Sequence, residues 1–522
     1  MDLHLPSCMK KMPCDLNTTL FMLLSFFIGT LLVFKLRGRS SIQNLPPSPP
    51  KLPIIGNYHQ LGTLLHRSFQ ALSQKYGPLL LLHLGQLPVL VVSSADLAKE
   101  VLHTHDLVFA SRPHLIATRH LLYECKDIEY SSYGDMWRQK RKICIIELLS
   151  MKRVQSVQFI REEEVEALVS NIRQHICSSS SGCPVNLSKM IVATANNVVC
   201  RSMLGRKYDA DDGGCSFAEV VRDIMIHIPD FSLGDMFPWL GWVGVLSGQT
   251  RKYKATFGAL DAFFDRLIAE RKMQRREDSE KKDFLDTLLQ LQESGNLEFE
   301  LTSDDLKAIL MVFLSIPLLM HDMFLGGSDT TSTTIEWAMA ELIKNPGTME
   351  KAQEEVRRVV GKKSKLEGND MDQMEYLKCV VKETLRLHAA APLLVSRETR
   401  SNVKLGGYDI PNKTFVSVNA WAIQRDPEFW EKPEEFLPER FENSEVNYNG
   451  QDFQFIPFGS GRRRCPGMAF GIASVEYILA NLLCWFDWKL SRSDQELDMT
   501  ETFGLTVNKR QPLSLQPIPY SN

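Results

Sequence analysis

The sequence predicts a mainly helical chain with a small β region, held behind an N-terminal membrane-spanning segment. Three observations carry that expectation. Apolar residues recur at helical spacing through most of the chain, the pattern of helices that bury one face. Two short apolar runs, Leu79–Leu84 and Leu87–Val92, flank Gly85-Gln86 and predict a β-hairpin. The stretch Leu16–Leu36 is largely apolar, and about 20 such residues suffice to cross a bilayer. At 522 residues the chain can bury a large core. A formal net charge of −3 and the lack of a strongly basic block argue against a nucleic-acid partner. The 11 cysteines are odd in number, scattered and without a CxxC pair, which points to free thiols in a reducing compartment. There is no repeat at solenoid periods.

Lys35, Arg37 and Arg39 follow the apolar segment and orient the bulk of the chain toward the cytoplasm, although Lys10 and Lys11 on the other side weaken that vote. The run leads into basic residues and not into a small-residue cleavage site, so an uncleaved anchor is expected over a secretory signal. The expected organisation is a short lumenal N-terminus over 1–15, an anchor over 16–36, a basic and Pro-rich hinge over 37–53, and one large domain over 54–522. Within the hinge, Pro46-Pro47-Ser48-Pro49-Pro50 makes a stiff spacer. Further on, Trp137 and Arg141 lie four apart and share a helix face. Ile224 to Trp242, with Phe231, Phe237, Trp239 and Trp242, is aromatic and loop-like, either buried core or an access region. Arg271 to Lys282 is a mixed charge run that fits a solvated helix end.

Two stretches carry chemistry. Gly326-Gly327-Ser328-Asp329-Thr330-Thr331 precedes an amphipathic helix, Ile335–Ile343, closed by Asn345-Pro346. The local alternative is an ordinary helix N-cap. The functional alternative is that the glycines let dioxygen sit against the helix, while a hydroxyl and an acid deliver protons to it. The second stretch, Phe458-Gly459-Ser460-Gly461-Arg462-Arg463-Arg464-Cys465-Pro466-Gly467, places one cysteine just before an apolar helical pattern from Ala469 to Trp485. Free backbone N–H groups and the positive end of a helix dipole favour a thiolate there. Gly461 and Gly467 suit close passage of a flat prosthetic group, and Arg463 is placed to neutralise a carboxylate of it. A lone cysteine before a helix is commonly a structural thiol, but the full spacing FxxGxRxCxG is far more restrictive.

That spacing resembles the haem-binding loop of the cytochrome P-450 family, and the chain as a whole is most similar to the plant microsomal, A-type members. The resemblance implies a single haem-thiolate catalytic domain with Cys465 as the axial ligand of haem b. It implies Asp329 and Thr330 as the acid–alcohol pair, and Trp137, Arg141 and Arg397 against the haem propionates, with Phe458, Gly461, Arg463 and Gly467 completing the cofactor site. Glu383, Arg386 and Arg440 resemble the family's buried salt-bridge network, and Phe324, Gly326, Gly327, Leu393, Val395, Phe503 and Leu505 its pocket lining. Ala390 and Ser396 stand where prolines are common in the 390–397 segment, so the shape of that loop is not implied by the family. The activity implied is NADPH-driven hydroxylation or epoxidation of a small apolar metabolite with O2. Electrons would come from a membrane-bound NADPH–cytochrome P-450 reductase docked in part on Arg462–Arg464. The place implied is the endoplasmic reticulum membrane, with a single span and the catalytic domain cytoplasmic. Two rivals remain: a haem-thiolate dehydratase or isomerase, which needs no acid–alcohol pair, and an inactive product.

The second rival arises from one departure. In relatives of this type a stretch like Lys307-Ala308-Ile309-Leu310 runs straight into one like Asp322-Met323-Phe324-Leu325, whereas here Met311–His321 intervenes. In helical form those residues add on the order of 16 Å and about three turns, so helical phase nearly survives but length does not. Pro317 costs about 3 kcal/mol or more inside a helix. The segment therefore reads as an unspliced or wrongly joined piece of the gene, with a genuine lineage-specific loop as the alternative. Deleting Met311–His321 is expected to raise the yield of haem-loaded protein that binds CO; a lower yield would make the segment integral to the fold.

Overall fold

In the computed structural model the hairpin forms as β1 (Leu79–Leu84) and β2 (Leu87–Val92), antiparallel, with Gly85 at φ +61° in its turn. The model describes residues 44–178, 183–207, 231–274, 283–294, 301–313, 327–490, 496–504 and 506–520, together with Met22, Ser25 and Gly29. They divide into the units Met1–Leu45 and Pro46–Asn522. In the larger unit β3 (Val185–Asn186), β4 (Arg397–Glu398), β5 (Val403–Leu405), β6 (Tyr408–Ile410), β7 (Phe415–Val418), β8 (Phe486–Leu490), β9 (Glu501–Phe503), β10 (Val507–Lys509) and β11 (Ser514–Pro519) complete the β region. The largest sheet has the order β1-β2-β7-β4, with β2 and β7 parallel; the others are β3-β11-β8, β9-β10 and β5-β6.

The helices that position the site are α1 (Asp135–Ile143), α2 (Gln158–Ser178), α3 (Leu187–Leu204), α4 (Gln249–Gln274), α5 (Ser303–Phe313), α6 (Asp329–Lys344), α7 (Pro346–Val360), α8 (Glu375–Leu387) and α9 (Met468–Trp485). Helix α6 packs against α3, α8 and α9, and most of its residues are buried. It is polar for a core helix, and its hydroxyls turn back onto its own carbonyls. Thr331 donates to Gly327 at 2.7 Å, Ser332 to Asp329 at 3.1 Å and Thr334 to Thr330 at 2.7 Å, so these buried groups are satisfied locally. Helix α9 is the one described helix long and apolar enough to cross a membrane, but 67% of it is buried against α2, α6 and α7. It is a core helix, whose buried Leu and Ile side chains contribute about 1.5–3 kcal/mol each. Of the expected anchor, only Met22, Ser25 and Gly29 are described, each helical and exposed.

Glu383 and Arg386 on α8 and Arg440 in the turn Pro438–Phe441 come together. Arg386 grips Glu383 through two bonds of 2.7 and 2.8 Å, Arg440 reaches the same carboxylate at 3.1 Å, and the Leu437 N–H adds a fourth at 2.9 Å. Both Glu383 and Arg386 are fully buried. Removing one partner of such a pair costs about 3–5 kcal/mol, because the other charge is left uncompensated. Arg386 also donates to the carbonyls of Gln424, Pro433 and Glu435, and Gln424 in turn accepts the Ile456 N–H at 3.0 Å. The α8 charge pair is thereby linked to the chain that enters the Cys465 loop.

Several expectations are corrected. The aromatic stretch is not loop-like in its described part: Leu233–Met236 and Gly241–Leu246 are helical, with a 3-10 turn between them. Its aromatic residues divide. Phe237 is buried and Phe231 packs on Phe415 at 5.4 Å, whereas Trp239 and Trp242 are 61% and 59% exposed. Helix α6 begins at Asp329, ahead of the expected Ile335, with no side-chain cap bond from Ser328. Arg271, near the end of α4, pairs with Asp283 at 2.7 Å; the rest of that charge run from 275 to 282 lies outside the described residues. Of Met311–His321, only Met311–Phe313 are described, and they extend α5. The eight described cysteines are all free.

Candidate active site

The Cys465 loop is shaped by glycine and closed by its own backbone. Gly459 and Gly461 stand at φ +66° and +70°, a region L-residues rarely adopt, and a Cβ on Gly461 would lie 2.0 Å from the Leu102 carbonyl oxygen. The Cys465 N–H donates to the Phe458 carbonyl at 3.0 Å, and α9 starts three residues later. Burial pushes the Cys465 thiol up, while the Gly467 N–H and the Arg141 charge act in the opposite sense. Gly467 has an ordinary φ of −88°, and a Cβ there would meet no protein atom within 4 Å. The protein's own packing therefore does not require glycine at 467, as expected of a surface that admits a flat group at close range.

Beside the loop lies a cavity lined by Cys465, Phe458, Gly459, Gly467 and Phe470, by Gly327, Thr330, Thr331 and Thr334 at the start of α6, and by Arg112, Arg141, Arg397 and Arg463. The guanidiniums of Arg112, Arg397 and Arg463 are buried together, with Arg141 half-buried beside them. Burial pushes Arg463 down to about 8, Arg397 to about 9 and Arg112 to about 10, and repulsion between guanidiniums adds to it most at Arg463 and Arg397; Arg141 is lowered by burial as well. A guanidinium stays protonated in a protein, so these shifts express chiefly the cost of burying the charges, with like-charge repulsion added to it. The opposing acid is partly lost: burial and the neighbouring Asp127 push Glu129 up to about 7. Arg397 donates to the Ser460 carbonyl at 3.1 Å, and its buried Nη1 has no partner among the described residues. A cluster of this kind fits a ligand that carries carboxylates. Together with the thiol and the open face at Gly467, it fits haem with its two propionates.

Two members of the expected propionate set are arranged differently from the expectation. The Trp137 indole N–H donates to the Ile128 carbonyl at 2.9 Å, and Arg141 and Arg463 lie over its ring at 5.4 and 4.2 Å. Arg463 donates to the carbonyls of Ala110, Ile128 and Ser131, so much of its donor capacity clamps the 110–131 loop. Of the expected lining, Gly327 and Val395 reach the cavity. Leu393 does not. It packs onto the β1–β2 core, and Leu394 at φ +51° enters the cavity wall instead. Phe503 sits in β9; Phe324, Gly326 and Leu505 lie outside the described residues.

Sequence reasoning missed three residues. Arg112 donates to the carbonyls of Glu129, Val395 and Ser396, and its signal was an arginine between Ser111 and Pro113 in an otherwise apolar run. Gln424 had no signal at all. Thr506 lines the cavity and donates a hydrogen bond to Asp329; the expected lining named its neighbours Phe503 and Leu505 but not this hydroxyl.

Comparison with known proteins agrees with this geometry. The family model for cytochrome P-450 matches residues 46–516. A phenylacetaldehyde oxime monooxygenase of Prunus mume is 52% identical over 482 residues, covering 91% of this chain and 89% of that protein. Desmethylyatein synthase of Sinopodophyllum hexandrum is 46% identical over 506 residues, covering 97% and 99%. A zebrafish cytochrome P-450 solved with abiraterone shares the fold, with TM-score 0.71 at 24% identity over 88% of this chain and 100% of that one. On the match of its family model and the identity of these relatives over nearly their full length, the chain belongs to the cytochrome P-450 family.

Proposed function

We propose that this chain hydroxylates or epoxidises a small apolar specialised metabolite, inserting one atom of O2 and reducing the other to water with two electrons and two protons. The observation that carries the reading is that Cys465 and Thr330 line one cavity. The family's cofactor is a haem with a thiolate-ligated iron, fed from NADPH through a reductase, and when bound it supplies the oxygen activation. In this reading Cys465 is the ligand, and the Gly467 N–H tempers the charge on its sulfur. Arg112, Arg141 and Arg397 hold the propionates. The Asp329 carboxyl carries a proton and the Thr330 hydroxyl passes it to the oxygen that leaves as water. Arg462 and Arg464, more exposed than Arg463, belong to the docking face for the reductase. The two relatives above are named for phenylacetaldehyde oxime and desmethylyatein, different compounds, so what carries over is the class of small specialised metabolites. Threonine hydroxyls amid Leu, Val, Met and Phe side chains in the cavity wall suit an apolar compound.

We further propose that the protein sits on the endoplasmic reticulum membrane through its 16–36 segment and a second contact. Trp239, Trp242, Val245 and Leu246 are exposed on one short stretch. The β1–β2 turn links them to exposed Ile54 and Ile55, through bonds from Gln86 N to Met236 O at 2.9 Å and Gly85 N to Ile55 O at 3.2 Å. Exposed apolar groups clustered in this way suit a lipid surface.

Cys465→His is expected to abolish the red-shifted Soret band of the reduced CO complex, and survival of that band would refute the ligand assignment. Thr330→Ala is expected to retain haem while sending a larger share of NADPH electrons to hydrogen peroxide; an unchanged share would leave Thr330 a helix residue only. Product formed equally well without NADPH would favour the dehydratase or isomerase class instead. Removing the chain before Pro46 is expected to shift most of the protein from the membrane pellet to the soluble fraction, with residual binding through Trp239 and Trp242. Full-length protein found in the soluble fraction would contradict the anchor.

A further inference from the structure

We propose that Thr506 is the positioning residue for the acid: its hydroxyl, reaching in from the turn between β9 and β10, fixes the Asp329 carboxylate beside the cavity. The inference rests on Asp329 being the proton source of the reading above. Thr506 Oγ1 donates to Asp329 Oδ2, so the hydroxyl's single proton is committed to the carboxylate. Its lone pairs face Asn508, whose Nδ2 donates to it at 3.1 Å, and Asn508 Oδ1 accepts from Thr333 Oγ1. Asp329 and Thr333 are four apart on α6 and share a face, while Thr506 stands just ahead of β10 and Asn508 within it. Four helical residues rise about 6 Å, a span that two residues of extended chain also cover, so the two pairs can meet.

The backbone of β10 is held independently of this ring. The Trp337 indole N–H donates to the Val507 carbonyl at 2.9 Å, the Val507 N–H donates to the Ala390 carbonyl at 2.9 Å, and Lys509 Nζ lies 5.2 Å from the Trp337 ring centre. Loss of the Thr506 hydroxyl therefore removes this bond to the carboxylate without freeing the strand. Asp329 and Thr506 are both buried, yet only Thr506 is part of the cavity wall. A substrate pressed against that wall would touch the residue that orients the acid.

The test uses full-length protein with reductase and no added substrate, where O2 ends as hydrogen peroxide with two electrons or as two waters with four. The peroxide-to-water ratio is read beside the infrared carboxylate band that Asp329→Asn removes. Thr506→Val is expected to raise the ratio about tenfold, as for one lost hydrogen bond to a charged group, and to shift the band. Thr506→Ser is expected to restore both, and Thr506→Val on Asp329→Asn to add nothing to the ratio. An unchanged ratio and band in Thr506→Val overturn the inference, and so does a further tenfold rise in the double variant, since Thr506 would then act without Asp329. An unchanged ratio in Asp329→Asn alone refutes Asp329 as the acid, and this role of Thr506 with it. Should Thr506→Val not accumulate as haem protein, Asn508→Ala, one bond further from the cavity, is expected to raise the ratio by a smaller factor, and no rise there overturns the inference.

Discussion

Buried backbone without regular secondary structure must find donors for its carbonyl groups, and here arginine provides them. Arg386 serves three carbonyls between Gln424 and Glu435, Arg463 three between Ala110 and Ser131, and Arg112 three, at Glu129, Val395 and Ser396. Arg397 and Arg141 reach the carbonyls of Ser460 and Arg464 on either side of the Gly461 turn. The fixed fork of five N–H groups lets one side chain bind several carbonyls from distant segments. The loop that carries Cys465 has its shape because side chains on surrounding elements hold it.

That solution has an electrostatic consequence. Four guanidiniums gathered around one cavity, three of them buried, repel each other, and the nearby acids, Asp127 and Glu129, are both raised by burial. Arg386 is relieved by a full ion pair with Glu383, whereas Arg397 keeps one nitrogen without a partner among the described residues. The first cluster is closed within the chain, and the second is open to an anionic ligand. The same residue type therefore plays two parts, set by whether a carboxylate of the chain lies within reach.

Helix α6 meets the opposite requirement, since its polar groups must sit in the core without calling in solvent. Thr331, Ser332 and Thr334 meet it by bonding to the preceding turn. Asp329 cannot, because a carboxylate only accepts, and its Thr506 partner comes from near the end of the chain. The chemistry proposed at the head of α6 thus depends on a β-turn docked by Trp337.

What the sequence alone determined is what neighbouring residues decide among themselves. The hairpin at Leu79–Val92 and the α9 helix follow from apolar runs about a glycine turn and from period-3.6 patterning. The family pattern added Cys465, Asp329 and Thr330. Tertiary structure decided what pattern cannot encode. Trp239 and Trp242 face outward while Phe237 is buried, although all three are aromatic residues in one stretch. Leu394 displaces Leu393 from the cavity because its backbone turns to positive φ. Arg112 and Thr506 find their partners 283 and 177 residues away. Such contacts are fixed by packing between elements, and no local period in the chain records them.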